Sequence, residues 1–178
     1  GEKHNLKVGT IADLIDYKLS KESTIENVHT KEVSTEFGEF RLDVWRDVIF
    51  DEHHFSLTKG SPEKVDVPMV RVQTQSVLQD TLGIDEIGKK WSIRKSLQKI
   101  SDEGTGVFVL INHRDAKTYW LSSLKDENIE PKRNRRVIGI GSQILRSLGL
   151  SRINVLGTPT KYSGLSGFNI EIEGFIDE

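Results

Sequence analysis

The chain has 178 residues and a mass of 20.2 kDa, enough for one ordinary globular domain and short for two. Apolar residues make up 35% and charged residues 29%, which supports a core and excludes global disorder. A net charge of −2 gives no general basic field for nucleic acid, and the absence of cysteine excludes disulfides, thiol nucleophiles, iron–sulfur clusters and thiolate zinc sites. No apolar run approaches the roughly 18 residues that a membrane-crossing helix needs, and the first seven residues form no apolar signal-peptide core. Neither nucleic acid nor membrane is therefore an expected partner, and a cytoplasmic location is the expectation.

Thr10, with Asp13 three residues on, makes a start resembling a capping box. Ile11, Leu14, Ile15 and Leu19 recur behind it at helical spacing, predicting a short amphipathic helix over 10–19. Residues 20–32, rich in Lys, Glu, Ser, Thr and Asn, have no sustained period and read as a linker. Phe40, Leu42 and Val44 then alternate with Glu39, Arg41 and Asp43, as a half-buried strand requires. Phe55 and Leu57 continue that alternation until Lys59-Gly60-Ser61-Pro62 stops it, and 68–72 reads as a further short strand. Between Gly88 and Gly104, Trp91, Ile93, Leu97 and Ile100 predict a helix with a basic far face, and Gly104 is its stop. The continuous apolar run VFVLI (107–111) predicts a strand buried on both faces. A helix over 138–148 ending at Gly149, a strand over 153–156 and a last strand over 168–172 complete the order. Helices interleaved with strands only in the second half predict an α/β fold, a mixed β-sheet with flanking helices.

Several groups invite a chemical reading. His53 and His54 are adjacent, and on a strand adjacent side chains point to opposite faces, so the pair cannot readily share one ion. His113 follows the buried strand, a place where α/β folds bind ligands and where surface histidines are also common. Lys89, Lys90, Arg94, Lys95 and Lys99 form one basic cluster, and Lys132, Arg133, Arg135 and Arg136 form another. Such runs are either solvated faces or seats for a phosphorylated ligand. Gly139-Ile140-Gly141-Ser142 at a helix start lacks the spacing of a phosphate-loop fingerprint.

The segments PMVRV (68–72), EGTGVFVLI (103–111), GIGSQILRSLGL (139–150) and NVLGTPTKYSGLSGFNIEI (154–172) resemble the GTP cyclohydrolase II family, with TEFGEF (35–40) as the start of that domain. The stretch KHNLKVGTIADLIDY (3–17) is similar to the trailing segment of 3,4-dihydroxy-2-butanone-4-phosphate synthase, which precedes a fused cyclohydrolase domain. The resemblance implies a division into residues 1–32, the trailing synthase segment with linker, and 33–178, a degenerate cyclohydrolase-like domain. It also implies a linked synthase domain and a homodimer.

The departures from the family bear on activity. Its three zinc cysteines fall on Ser76, Ile87 and Lys89, none of which can rebuild a catalytic zinc site. The acid before the first cysteine becomes Gln75, and the family's Glu-Gly-Arg becomes Arg114-Asp115-Ala116. The resemblance thus implies no catalytic residue, no metal and no cofactor. Four positions remain as phosphate or nucleotide candidates: Arg71, Arg136 (on the arginine proposed as nucleophile toward the α-phosphate), Lys161, and Thr158 in the Gly157-Thr158-Pro159 turn. They would hold a phosphorylated small molecule by charge-assisted hydrogen bonds. Three functions stay open: an inactive dimerisation or regulatory module for the synthase, a phosphate-ligand sensor, and a retained or altered cyclohydrolase.

Overall fold

The computed structural model describes residues 22–84, 91–112, 131–159 and 169–177. Strands β1 (Ile25–Thr35), β2 (Gly38–Asp47) and β3 (Glu52–Lys59) run back and forth as an antiparallel meander. With β4 (Met69–Thr74), β5 (Gly106–Ile111), β6 (Arg152–Leu156) and β7 (Glu171–Ile176) they form one seven-stranded sheet in the order β1-β2-β3-β5-β4-β6-β7. Strand β5 is antiparallel to β3 and parallel to β4, while β6 is parallel to both β4 and β7. Parallel neighbours need long crossovers. Helix α1 (Ile93–Glu103) supplies the one between β4 and β5, and helix α2 (Pro131–Ser147) lies between β5 and β6. The mixed α/β sheet with flanking helices is thus as the sequence predicts.

Each helix covers one face. Leu97 and Ile100 of α1 pack with Phe40, Met69, Trp91, Phe108 and Leu156. Ile140, Ile144 and Leu145 of α2 pack on the other face with Trp45, Val70, Val107, Val109 and Ile111. Strand β5, with its residues alternating between the two cores, is the strand buried on both faces that VFVLI predicts. Ser92 caps α1, its hydroxyl accepting the Lys95 amide, and Gly104 closes the helix in the left-handed region at φ 78°. At Gly141 a side chain has no room. A Cβ there would stand 2.8 Å from Cγ1 of Val72, so the glycine lets α2 lie directly on β4.

Two expectations are corrected, and two are shifted: the last strand, expected over 168–172, runs from Glu171 to Ile176, and the helix expected over 138–148 begins at Pro131, which puts Gly139–Ser142 inside it. Residues 25–32, read as linker, belong to β1, which is the sheet's outer strand and is exposed along most of its length on both faces. A strand with no buried face has no reason to alternate, so its polar residues carry no period-two signal. The helix expected from Gly88 begins at Ile93. The predicted helix over 10–19 and residue 168 of the last strand lie outside the described residues. No helix among those described is long and apolar enough to cross a membrane.

Candidate functional site

Inward-facing positions on β2 and β3 carry charge where a core would carry apolar groups. Register pairs Asp47 with Glu52 and Trp45 with His54, and all four side chains are buried on the α2 face. The helix answers with one cation. Arg136 Nη2 donates to Glu52 Oε2 at 2.6 Å and to Asp47 Oδ2 at 3.4 Å. Its guanidinium also lies 3.8 Å from the centre of the Phe50 ring. Asp47 is used twice, because Oδ1 accepts the Ile49 and Phe50 amides at 2.9 and 3.3 Å and so shapes the β2–β3 turn. Arg136 Nε is buried with no hydrogen-bond partner among the described residues.

His54 completes the cluster. Its Nδ1 accepts the Asn112 amide at 3.2 Å, so the neutral ring carries its proton on Nε2, which is buried and unpartnered among the described residues. Burial lowers its pKa to about 4, with Arg136 and His53 adding to that push and Asp47 and Glu52 opposing it. The ring is therefore uncharged at neutral pH. Among the described residues, one arginine then faces two carboxylates.

Arg71 lies on the other face of the sheet, in the α1 core. Its Nε donates to Gln73 Oε1 at 2.9 Å, Nη1 to the Leu156 carbonyl at 2.6 Å and Nη2 to the Trp91 carbonyl at 3.2 Å. It thereby ties β4 to the end of β6, two residues before Thr158, which is exposed. The structure brings Arg71 and the Thr158 turn together and puts Arg136 across the sheet from them. Lys161 lies outside the described residues, as do His113, Ile87 and Lys89.

The zinc positions can be tested at Ser76. Its hydroxyl accepts the Gln79 amide at 3.3 Å and its amide donates to Asp80 Oδ2 at 2.8 Å, which makes it the cap of a single π turn at Val77–Thr81. A neutral hydroxyl engaged as a cap is a poor zinc donor, isoleucine at 87 has no donor atom, and lysine at 89 brings a cation. The residues present do not fit a catalytic zinc. Among the described residues no group of three or more histidines and carboxylates could hold a metal ion. His53 and His54 take opposite faces, one exposed and one buried, as strand geometry requires.

The sequence reading missed Asp47 and Glu52, which decide what Arg136 can do. The signal available for them was parity: both share the inward register of Trp45 and His54.

The chain matches the family described as GTP cyclohydrolase II over residues 26–177. It is 34% identical over 179 residues to the 3,4-dihydroxy-2-butanone 4-phosphate synthase of Pseudomonas syringae pv. tomato, covering 96% of this chain and 48% of that protein. It is 30% identical over 187 residues to the riboflavin biosynthesis protein RibBA of Aquifex aeolicus, covering 96% and 46%. Among solved structures it is similar to RibBX, a two-domain 3,4-dihydroxy-2-butanone 4-phosphate synthase from A. baumannii. That match has a TM-score of 0.69 and 31% identity over 99% of this chain and 47% of the other. The chain spans about half the length of the curated relatives it matches.

Proposed function

The chain belongs to the GTP cyclohydrolase II family, and from that premise we propose that it is a member without cyclohydrolase activity. Its role is that of a dimerisation or regulatory module for a 3,4-dihydroxy-2-butanone 4-phosphate synthase half of a longer riboflavin-biosynthesis protein, a module that the resemblance starts at residue 33 and that strand β1 extends back to Ile25. The observation that carries this reading is the chemistry at Ser76, Ile87 and Lys89, where no thiolate is available and, among the described residues, no alternative donor set. Zinc lowers the pKa of a bound water from near 16 to about 7, and without that step water is too weak a nucleophile to open an imidazole ring at neutral pH. The ion pairing of Arg136 with Glu52 and Asp47 supports the same reading, because it gives that arginine a structural task.

The relatives named as 3,4-dihydroxy-2-butanone 4-phosphate synthases support a synthase partner for the module. The test has two parts. Purified chain is assayed for formate release from GTP and for bound zinc, with neither expected; one equivalent of zinc together with formate production overturns the proposal. Synthase turnover of the longer protein is then compared with and without residues 25–178. A change in turnover or in oligomeric state is expected, and no change in either removes the regulatory and dimerisation roles.

A second reading, a phosphate-ligand sensor built on Arg71, Arg136, Lys161 and Thr158, is favoured by one observation, the unpartnered Nε of Arg136. Calorimetric titration with GTP, pyrophosphate and ribulose 5-phosphate separates the two. Heat that disappears in Arg136→Ala supports the sensor, and no heat with any of them removes it.

A further inference from the structure

The β2–β3 turn is an unusual place for three consecutive large apolar side chains. Val48, Ile49 and Phe50 are 43%, 56% and 46% exposed, and they account for three of the seven exposed large apolar residues among those described. The exposure does not come from a slack loop. Asp47 Oδ1 accepts two of the turn's amides, the Val48 amide donates to the Thr24 carbonyl at 2.9 Å, and Arg46 pairs with Asp51 at 2.8 Å. One side of Phe50 is held against Arg136. The turn is a fixed apolar knuckle pointing at water, which is costly unless something covers it.

The described chain enters the domain at that spot. Thr24 is buried, and its amide and hydroxyl both donate to Gln143 Oε1, at 2.7 and 3.2 Å. Its carbonyl is bonded to the turn, so residues preceding it enter the domain beside Val48. Leu19 lies five positions before Thr24, a span of at most about 17 Å. The stretch just before carries Ile11, Leu14, Ile15 and Leu19, an apolar set spaced three and four apart with Asp13 and Asp16 off its phase.

We infer that the knuckle at Val48, Ile49 and Phe50 is the docking site for the apolar side of residues 10–19 of this same chain. The exposed tip is apolar, and the acidic positions of the stretch are off the phase of its apolar set. The consequence for regulation rests on the proposed function: the segment resembling the end of the synthase would be seated on the turn that Asp47 and Arg136 hold. The docking itself is measurable without any activity.

The chain has no cysteine, so engineered pairs report without background. Ile49→Cys is combined in turn with Ile11→Cys, Leu14→Cys, Ile15→Cys, Asp13→Cys and Asp16→Cys, and disulfide formation is followed in dilute solution under mild oxidation. All five positions share nearly the same tether, so tether length alone gives nearly equal rates. Docking by the apolar side predicts intramolecular disulfides about tenfold faster for at least one of residues 11, 14 and 15 than for residues 13 and 16, because docking raises the effective concentration of one side only. Equal rates at all five positions overturn the inference, as does a disulfide that joins two chains, which would make a second copy the occupant. Tryptophan fluorescence of each reduced variant confirms that the domain is folded.

Discussion

Arg136 and Glu52, 84 residues apart in sequence, meet at 2.6 Å under the first described turns of α2. Glu52 is almost fully buried and Asp47, the arginine's second partner, more so. The contact fixes the helix to the β2–β3 turn. Removing the cation takes the ion pair from two buried carboxylates, a change that costs about 3–5 kcal/mol when a buried pair is broken from one side. Arg136→Ala should therefore lower the urea midpoint of unfolding severely. Arg136→Ala with Glu52→Gln should lose less than the single variant, because the stranded charge goes too. Equal losses in the single and double variants would mean that the pair does not couple.

Arg71 holds two backbone carbonyls from different parts of the chain, one on β6 and one just before α1. These are charge-assisted bonds in a buried setting, and losing them also strands the acceptors. Arg71→Ala is expected to destabilise by about 3 kcal/mol. Arg71→Lys should restore less than half of that, since a single ammonium cannot span Gln73, Leu156 and Trp91 as the planar fork does. Equilibrium unfolding of both variants checks the order. Full rescue by lysine would show that charge, and not the fork, matters.

His54 gives the fold a pH dependence of known sign. Its native pKa is about 4, below the ordinary 6.5, because burial penalises the imidazolium. As pH falls from 6.5 toward 4 the unfolded chain takes up the proton first, so unfolding is favoured progressively through that window. The contribution is fully present above pH 6.5 and its loss is complete near pH 4, with a limiting slope of about 1.4 kcal/mol per pH unit. His54→Gln, which keeps an acceptor for the Asn112 amide, should flatten the change in unfolding midpoint between pH 7 and pH 5. An unchanged slope would assign the acid sensitivity to other groups.

What the sequence disclosed depended on whether the physical signal was local. The buried run of β5, the Gly104 stop and the alternation on β2 are all written within a few neighbouring residues, and each appears where expected. Strand β1 was hidden because its polar residues face water on both sides, so burial imposed no period. The cluster around Arg136 was hidden for another reason. His53-His54 suggested a ligand pair, while the reading passed over Asp47 and Glu52. Only the cross-strand register shows that they share an inward face with Trp45, and only the fold brings to them an arginine some 84 to 89 residues later. The family resemblance told which positions to compare, and the hydrogen bonds of Arg71, Ser76 and Arg136 tell what those positions now do.

The alignment of the missing cysteines with Ser76, Ile87 and Lys89 can be tested by putting thiols back. Ser76→Cys, Ile87→Cys and Lys89→Cys in one chain would supply three thiolates, enough to hold zinc with one open position. The Ser76 change also removes a hydroxyl cap, at a cost of about 1 kcal/mol. If the register is right, the triple variant should take up about one equivalent of zinc and be stabilised by it, because a metal that binds only the native state adds its binding free energy to folding. Formate release from GTP should still be absent. Gln75 stands where the family has an acid, and Arg136 remains committed to Glu52 and Asp47. Zinc uptake without formate would place the loss of activity in more than the metal site, formate production would confine it to the three ligands, and failure to bind zinc would show that the three positions do not converge.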